Sequence, residues 1–223
     1  MLYVYALFNR EPRKTPVSGI QGEPLRVVSC RGLFAAVGEV SGPPPVEEQN
    51  VRGHELTVRR LADSSDAILP ARFGCLVPDE ATLSGLLESR EAALRQTLAL
   101  VEGREQMTLR IFTENAAASE MPPDAALGPG ASYLINKMRA GEQKSLMAAI
   151  EEVRPQLAEW IRAERSDCHS WRHSAATSVA SVYHLIDRGQ SPRYIAALNG
   201  YVSAHPQIRL AASGPWPPYN FVQ

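Results

Sequence analysis

The stretch MTLRIF, residues 107–112, decides how the rest of the chain is divided. Every second residue in it is a large apolar residue (Met, Leu, Ile), which is the period-two pattern of a strand with one face in a core. The helical pattern just before it stops at Gly103, where glycine suits the positive φ that follows many helices. Because one pattern ends and another begins here, the sequence predicts a domain boundary within residues 103–106.

Downstream of this boundary, residues 106–213 predict a domain that begins with a strand, a loop and a long helix. The loop, residues 113–130, is rich in Ala and Pro. The apolar positions of the helix after it run at three- and four-residue spacings as far as Ile161. Pro155 lies inside that pattern, so a kink or a break into two helices is expected there.

Two strands, a helix and a final strand complete this predicted domain. WRHSAAT and SVASVYHLIDR have the composition of strands. Residues 187–190 form the turn after them, and Ser191-Pro192 supplies an N-cap and a proline for the first turn of a helix. IRLAAS, residues 208–213, is the last strand. The order β-α-β-β-α-β predicts a ferredoxin-like domain.

Upstream of the boundary, residues 1–105 predict an N-terminal domain of mixed α and β structure. LYVYALF (2–8) is a short apolar run rich in β-forming residues, and LRVVSC and LFAAVGEV form a hairpin through Arg31-Gly32. A helix is predicted from Val46 to about Ala62, followed by a return to strand in ILPARFGCLV (68–77). A single helix with a Leu stripe then runs to the boundary.

The last ten residues, GPWPPYNFVQ (214–223), form an extended tail of aromatic residues and prolines. Its three prolines favour a stiff, polyproline-like path that has little entropy to lose on docking. We expect Trp216 and Tyr219 to pack back on one or both domains and to fix their relative placement; recognition of another protein by the tail is the alternative. The fold class expected for the whole chain is α+β, with two domains and this tail.

Composition excludes several classes of protein. The 23 basic and 24 acidic residues nearly cancel, and no cluster of Lys or Arg stands out, so nucleic acid is not an expected partner. No apolar run is long enough to span a bilayer, and the first residues lack the features of a secretory signal. The expected location is the cytoplasm. Three cysteines at wide spacing predict no disulfide framework.

The sequence contains no recognisable catalytic motif and no cofactor-binding motif. His54-Glu55 begins like a metalloprotease helix, but Val58 stands where the second histidine is required. Cys168, His169 and His173 are close enough to suggest a metal site, although no second cluster supplies a fourth ligand. We therefore interpret them as weak metal candidates only.

A glycine-rich segment before the long helix can be interpreted either as a binding site or as a purely structural feature. Gly128-Pro129-Gly130 could present backbone amides to an anion. It lacks the third glycine of a dinucleotide-binding motif and the Lys-Ser/Thr of a P-loop. The favoured interpretation is a glycine-rich start of a helix.

Four segments, in this order and at these separations, resemble the gas vesicle protein F and L family. They are the Tyr-rich opening LYVYALF, LPARFG at 69–74, GPGASYL at 128–134 and GPWPPYNFV at 214–222. The last is the most specific, because a Trp among three prolines is improbable by composition alone. The resemblance spans nearly the whole chain.

The resemblance implies a non-enzymatic accessory protein of gas vesicle formation, associated with or within the vesicle. Its expected partners are the small hydrophobic shell protein and other accessory proteins. We expect the N-terminal domain to supply the binding surface, through either an exposed sheet edge or an apolar groove. The alternative is a metal-binding or small-ligand-binding protein of ferredoxin-like architecture.

The motif residues of these segments are expected to be structural or to bind a partner. Arg72 is expected to pair with an acidic residue at the domain junction more readily than to touch a partner directly. Gly74 permits a tight or positive-φ turn. The full set is Pro70, Arg72, Phe73, Gly74, Gly128, Gly130, Tyr133, Gly214, Trp216, Pro217, Pro218 and Tyr219.

Overall fold

The computed structural model describes residues 1–15, 18–114, 144, 147–174, 177–206 and 209–222, although not every side chain within them. The fold is α+β, with helices packed on two antiparallel sheets. The chain forms two compact units. Unit 1 comprises Met1–Gln106 with Pro215–Gln223, and unit 2 comprises Met107–Gly214.

Unit 1 contains a five-stranded sheet and three helices. Its strands are β1 (Leu2–Phe8), β2 (Leu25–Cys30), β3 (Leu33–Glu39), β4 (Leu69–Pro70) and β5 (Leu76–Val77). Its helices are α1 (Glu48–Asp63), α2 (Glu80–Ser89) and α3 (Glu91–Val101), and a 3-10 turn covers Tyr219–Phe221. The strand order is β2-β3-β1-β4, with β5 also paired to β1.

The Tyr-rich strand β1 lies at the centre of this sheet and contains an irregularity. Val4 pairs with Val37 and Ala6 with Ala36, so Tyr5 is an extra residue on β1. A bulge of this kind lets neighbouring residues face the same side of a sheet. Tyr5 and Ala6 accordingly both join the apolar cluster that includes Val58 and Leu61 of α1, while Val4 lies on the opposite face.

The local predictions for unit 1 are confirmed in part. Arg31 and Gly32 both have positive φ in the turn between β2 and β3, as the predicted hairpin requires. The single Leu-striped helix is wrong: α2 and α3 are separated at Arg90, whose φ of −118° is not helical. The predicted strand 68–77 is likewise reduced to two short pieces, because residues 71–75 form a turn.

Unit 2 contains a four-stranded sheet in the order β7-β8-β6-β9. The strands are β6 (Arg104–Glu114), β7 (Ile161–Ser174), β8 (Thr177–Asp187) and β9 (Arg209–Trp216). Residues 147–157 form α4, and α5 is Ser191–Ala204. One cluster of buried residues from β6, β8 and both helices forms the core of this unit.

Several boundaries in unit 2 differ from the sequence prediction. Strand β7 begins at Ile161 and not at Trp171, and β9 continues to Trp216, three residues into the predicted tail. Helix α4 includes Pro155 and ends at Leu157, where the amide of Trp160 bonds to the Leu157 carbonyl at 3.0 Å. Ile161, assigned to the helical stripe from spacing, instead begins β7 and pairs with Ile186. Helical spacing misled here because an apolar residue at the start of a strand also continues the pattern.

No helix in the described part of the chain is long and apolar enough to cross a membrane.

Candidate functional site

The LPARFG turn is held against β1 and α1 by a buried hydrogen-bonded group. The Gly74 amide donates to the hydroxyl oxygen of Tyr3 at 2.9 Å, and that oxygen lies 3.0 Å from Nδ1 of His54. Nε2 of His54 lies 3.0 Å from the Ala71 carbonyl. The ring of Phe73 packs edge-on against His54, with the centroids 5.9 Å apart. The turn is therefore fixed at both ends and in the middle.

The partners of His54 define its protonation. The Ala71 carbonyl only accepts hydrogen bonds, so Nε2 carries the proton and donates to it, and Nδ1 accepts from the Tyr3 hydroxyl. Burial lowers the pKa of His54, which is 3% exposed. The histidine is neutral and acts as a connector between a strand, a helix and a turn.

A second buried group lies beside it on β1. The Tyr5 hydroxyl donates to a carboxylate oxygen of Glu23 and accepts from the Ile20 amide at 2.9 Å. The other carboxylate oxygen accepts from the Gln21 amide at 2.8 Å. Gly38 must be glycine, since a Cβ there would lie 2.5 Å from the Glu23 side chain. This group connects β1 to residues 20–23, which precede β2.

On the opposite face of the sheet, unit 1 contains an open pocket of about 420 Å³. We call it the groove. Its walls come from β1, from the LPARFG segment, from α2 and α3, and from the tail. The lining residues are Val4, Leu7, Leu69, Pro70, Ala71, Arg72, Cys75, Val77, Leu83, Leu86, Leu87, Arg90, Leu94, Tyr219 and Val222.

The groove is apolar with a positive rim. Arg72 and Arg90 are the charged residues in its described lining, which contains no Asp or Glu. Leu86 of α2 is 49% exposed although its neighbours Leu83 and Leu87 are buried. Burial raises the pKa of the Tyr219 phenol, so this hydroxyl keeps its proton. The groove can accept apolar side chains together with a negative charge.

The tail packs on unit 1. The Arg59 guanidinium of α1 lies 4.3 Å from the centre of the Trp216 ring, a cation–π contact. Gln106 and Asn220 share two hydrogen bonds, of 3.0 and 2.9 Å. Phe221 is 1% exposed. These contacts place Tyr219 at the groove.

Eight of the motif residues are brought together in unit 1. Three line the groove, namely Pro70, Arg72 and Tyr219. Arg72 is exposed and forms no ion pair with an acidic residue in the described part of the chain, so the expected pairing at a domain junction is not found there. The others are Phe73, Gly74, Trp216, Pro217 and Pro218.

The remaining predicted residues are separate from this site. Gly214 has a φ of +134° in β9, at the last position of unit 2. Gly128, Gly130 and Tyr133 lie outside the described residues. The side chains of Cys168, His169 and His173, the weak metal candidates, also lie outside what the structure describes.

Sequence reasoning missed several residues of the site. The sequence predicts His54 or Glu55 in the stripe of the first helix, and the spacing of His54 with Val58 and Leu61 indicates a polar residue on a buried helix face. The predicted stripe places Leu83, Leu87 and Leu94 on one surface, and all three line the groove, but they come from two helices and not from one. The break at Arg90 gave no signal in the sequence.

Unit 2 contains one further buried polar group, which links four elements. Nδ1 of His184 lies 2.7 Å from the Tyr194 hydroxyl, and Nε2 lies 3.3 Å from Glu164. Arg154 forms two hydrogen bonds to Glu164, at 2.5 and 3.2 Å. Burial lowers the pKa of His184, which is 2% exposed. Both of its nitrogens are occupied and its ring is buried, so the group suits a structural connector and not a proton-transfer site.

Among the described residues, no three His, Cys, Asp or Glu side chains are grouped to hold a metal ion.

The arrangement of two sheets and their helices defines a class of α+β proteins known from crystal structures. The chain superposes on gas vesicle protein GvpF from Microcystis aeruginosa with a TM-score of 0.76 and 19% identity, over 100% of this chain and 98% of that one. For GvpF from Anabaena sp. PCC7120 the TM-score is 0.73 at 16% identity, with the same coverage. The fold is shared.

The chain belongs to the family of gas vesicle synthesis proteins GvpL/GvpF, whose family model matches residues 1–223. It is 23% identical to gas vesicle protein F of Streptomyces sp. (strain CB03234), over 99% of both chains. It is 24% identical to gas vesicle protein F1 of Halobacterium salinarum, over 99% of this chain and 92% of that one. Gas vesicle protein L of the same Streptomyces strain is 25% identical over 98% of this chain and 91% of that protein. The resemblance found in the sequence is confirmed.

Proposed function

We propose that this protein is a non-enzymatic accessory protein of gas vesicle formation, which binds the small hydrophobic shell protein, other accessory proteins, or both, through unit 1. The observation that carries the proposal is the apolar groove, because Pro70, Arg72 and Tyr219, from the segments in which the sequence resembles the family, line it. Motif residues that contribute to an open apolar surface favour a binding role over a purely structural one.

The physical need for such a protein follows from the nature of the shell subunit. A protein with one face turned to gas exposes a large apolar surface before assembly, and such surfaces aggregate in water. A partner that covers this surface keeps the subunit dispersed until it reaches the growing vesicle. We place this activity in the cytoplasm, with the protein associated with or within the gas vesicle.

We favour the groove over the sheet edge as the binding surface. The edge strand β2 carries Arg26, which lies 2.8 Å from Glu80 and 3.6 Å from Glu39. Charged side chains on edge strands oppose pairing with another strand. The groove has no comparable obstacle.

We further propose that unit 2 is a ferredoxin-like domain, and that the chain is organised as an N-terminal domain of residues 1–105, this domain over 106–213 and a tail from 214. The sheet order supports the assignment: if the four strands are numbered within the unit, they lie in the order 2-3-1-4, and a helix follows the first and the third. The domain would then serve as a scaffold, since such folds host many functions.

The rival function is a metal- or ligand-binding protein, with Cys168, His169 and His173 as the metal candidates. Elemental analysis of the protein purified without added chelator tests it. Zinc or another transition metal at one equivalent per chain, lost on replacing His169 and His173 with Ala, would support the rival. A metal content well below one equivalent per chain would contradict the metal-binding alternative.

The proposed function is tested by co-expressing the protein with the shell protein of its own organism. We expect shell protein to remain in the supernatant after centrifugation and to co-purify with a tag on this chain. The control is the shell protein expressed with a tagged, unrelated protein of similar size. Equal precipitation of shell protein in both cultures, with none co-purified, would contradict binding to the free shell subunit.

A further inference from the structure

We propose that the groove selects an amphipathic helix that carries an Asp or Glu among its apolar residues, and that Arg72 recognises this carboxylate. The inference rests on the proposed function, because it names the chemistry of the segment that unit 1 binds. It adds a charge requirement that burial of apolar surface alone would not impose.

The size of the groove determines how an occupant enters. A volume of about 420 Å³ is within the range of ligand-binding pockets, whereas a helix with its side chains is roughly 10–12 Å across. The helix therefore lies over the opening and inserts two or three side chains. Residues spaced three or four apart on one face of a helix are suited to this mode. Leu86, half exposed at the opening, gives the helix an apolar contact before it inserts.

The charges of the groove determine which helix fits. Arg72 is a cationic lining residue, so it would repel a cationic segment. A neutral segment would partly desolvate the Arg72 guanidinium without compensating its charge. Arg72 has no ion pair with an acidic residue in the described ranges. A guanidinium binds a carboxylate through two parallel hydrogen bonds. A carboxylate-bearing helix is therefore the complementary occupant.

The turn that carries Arg72 is ordered before any partner arrives. Ala71, on one side of it, is bonded to His54, and Gly74, on the other, to Tyr3. The Ala71 amide also bonds to the Tyr5 carbonyl at 2.9 Å. An arginine on an ordered turn loses less entropy on binding than one on a mobile loop. Arg72 is thus positioned for recognition.

Two variants and two matched controls test the inference in the full-length protein. Arg72→Glu reverses the charge of the rim, and Leu86→Asp places a carboxylate at the apolar opening. The controls are Arg60→Glu, an exposed arginine at the end of α1, and Leu56→Asp, which is 50% exposed against 49% for Leu86. Thermal unfolding followed by circular dichroism verifies that all four variants fold.

The readout is the amount of shell protein that co-purifies with each variant. We expect Arg72→Glu and Leu86→Asp each to lower it at least tenfold and the controls to leave it within twofold of the unmodified protein. A set of shell proteins in which each Asp or Glu is replaced in turn by Lys is then tested with Arg72→Glu. One of these replacements should restore capture, because it reverses both charges of the pair.

The outcomes separate the inference from the proposed function. Full capture by Arg72→Glu and Leu86→Asp overturns the groove assignment while binding itself stands. Loss of capture that no Lys replacement restores overturns the charge requirement. Failure of the unmodified protein to capture any shell protein overturns the proposed function, and with it the inference.

Discussion

The Tyr3 hydroxyl lies 3.0 Å from Nδ1 of His54, a residue 51 positions later, and accepts a hydrogen bond from the Gly74 amide. One phenol thus joins the first strand, the first helix and the LPARFG turn. The relationship explains why a Tyr-rich opening and this motif occur in the same chain: the first holds the second in place. It also yields a direct test.

Replacing Tyr3 with Phe removes the hydroxyl and keeps the ring. The Gly74 amide and Nδ1 of His54 then lose a partner in a buried place, so the free energy of unfolding is expected to fall by roughly 1–3 kcal/mol. Urea denaturation of both proteins measures the change. Tyr183→Phe is the control, since the Tyr183 hydroxyl makes no hydrogen bond within the described residues. Equal stability of the two variants would contradict the assigned role.

Acid should weaken unit 1 through His54. Burial lowers the pKa of His54 although nearby Glu55 opposes the shift, so between the ordinary pKa of about 6.5 and the lowered one the unfolded chain binds more protons than the folded chain. The contribution of neutral His54 to the free energy of unfolding is therefore fully present above about pH 7. It declines as the pH falls through this window. Hydrogen exchange of β1 amides at pH 7 and pH 5, corrected for intrinsic rates, measures it.

His54→Gln is expected to reduce that pH dependence, and His205→Gln in unit 2 is the control. Exchange in β1 that is independent of pH in the unmodified protein would contradict a neutral, buried His54.

Two glycines of unit 1 should respond to alanine in opposite directions. Gly74 has a φ of +84°, and a Cβ added there would meet nothing within 4 Å, so Gly74→Ala costs about 1 kcal/mol for conformational reasons alone. Gly85 is in α2 with equally open surroundings, and Gly85→Ala should stabilise by roughly 0.5–1 kcal/mol. Thermal unfolding midpoints compare the two. A gain in stability from Gly74→Ala would refute the positive-φ turn.

Phe221 should be the main anchor of the tail. It is 1% exposed, and truncation of such a ring to Ala costs roughly 3–5 kcal/mol. Val222→Ala, at a half-buried neighbouring position, should cost much less. Limited proteolysis of the tail, with denaturation in parallel, measures both effects. A tail cleaved at the same rate in Phe221→Ala as in the unmodified protein would argue against this anchor.

The contact between Arg59 and Trp216 is suited to a double-mutant cycle. The two residues should be coupled by about 0.5–1 kcal/mol, the usual strength of an exposed cation–π contact. The single variants Arg59→Ala and Trp216→Ala, with the double variant, provide the measurement. Because Arg59 also pairs with Glu55, its single variant alone is not informative. Additive effects would mean that the ring only covers apolar surface.

Local features of the fold could be predicted where one residue determines the backbone. The hairpin at Arg31-Gly32 and the turn at Gly103 both require positive φ, and both are found where the sequence places them. The division of α2 from α3 could not be predicted, because the leucines on either side of Arg90 continue the same spacing. The assignment of Ile161 to a helix was wrong for the same reason, because this residue also continues the helical spacing although it begins β7.

The candidate site was predicted less completely than the fold. Arg72 and Tyr219 were selected from motifs, but their common surface depends on segments that are distant in sequence and on which face of β1 each residue occupies. The extra residue Tyr5 changes that alternation after Val4, and no period-two pattern shows such a shift. The helical spacing of His54 indicates a buried face, but it does not show that the ring bonds to Tyr3 and Ala71.

Unit 1 is discontinuous in the chain, and this has a consequence for synthesis on the ribosome. Residues 215–223 belong to unit 1 but are translated after all of unit 2. Tyr219 and Val222, which line the groove, are therefore absent while the rest of unit 1 emerges, although domains generally fold as they are made. A nascent chain would present an incomplete groove, and the ability to receive a partner would arise only after residues 215–223 have been translated.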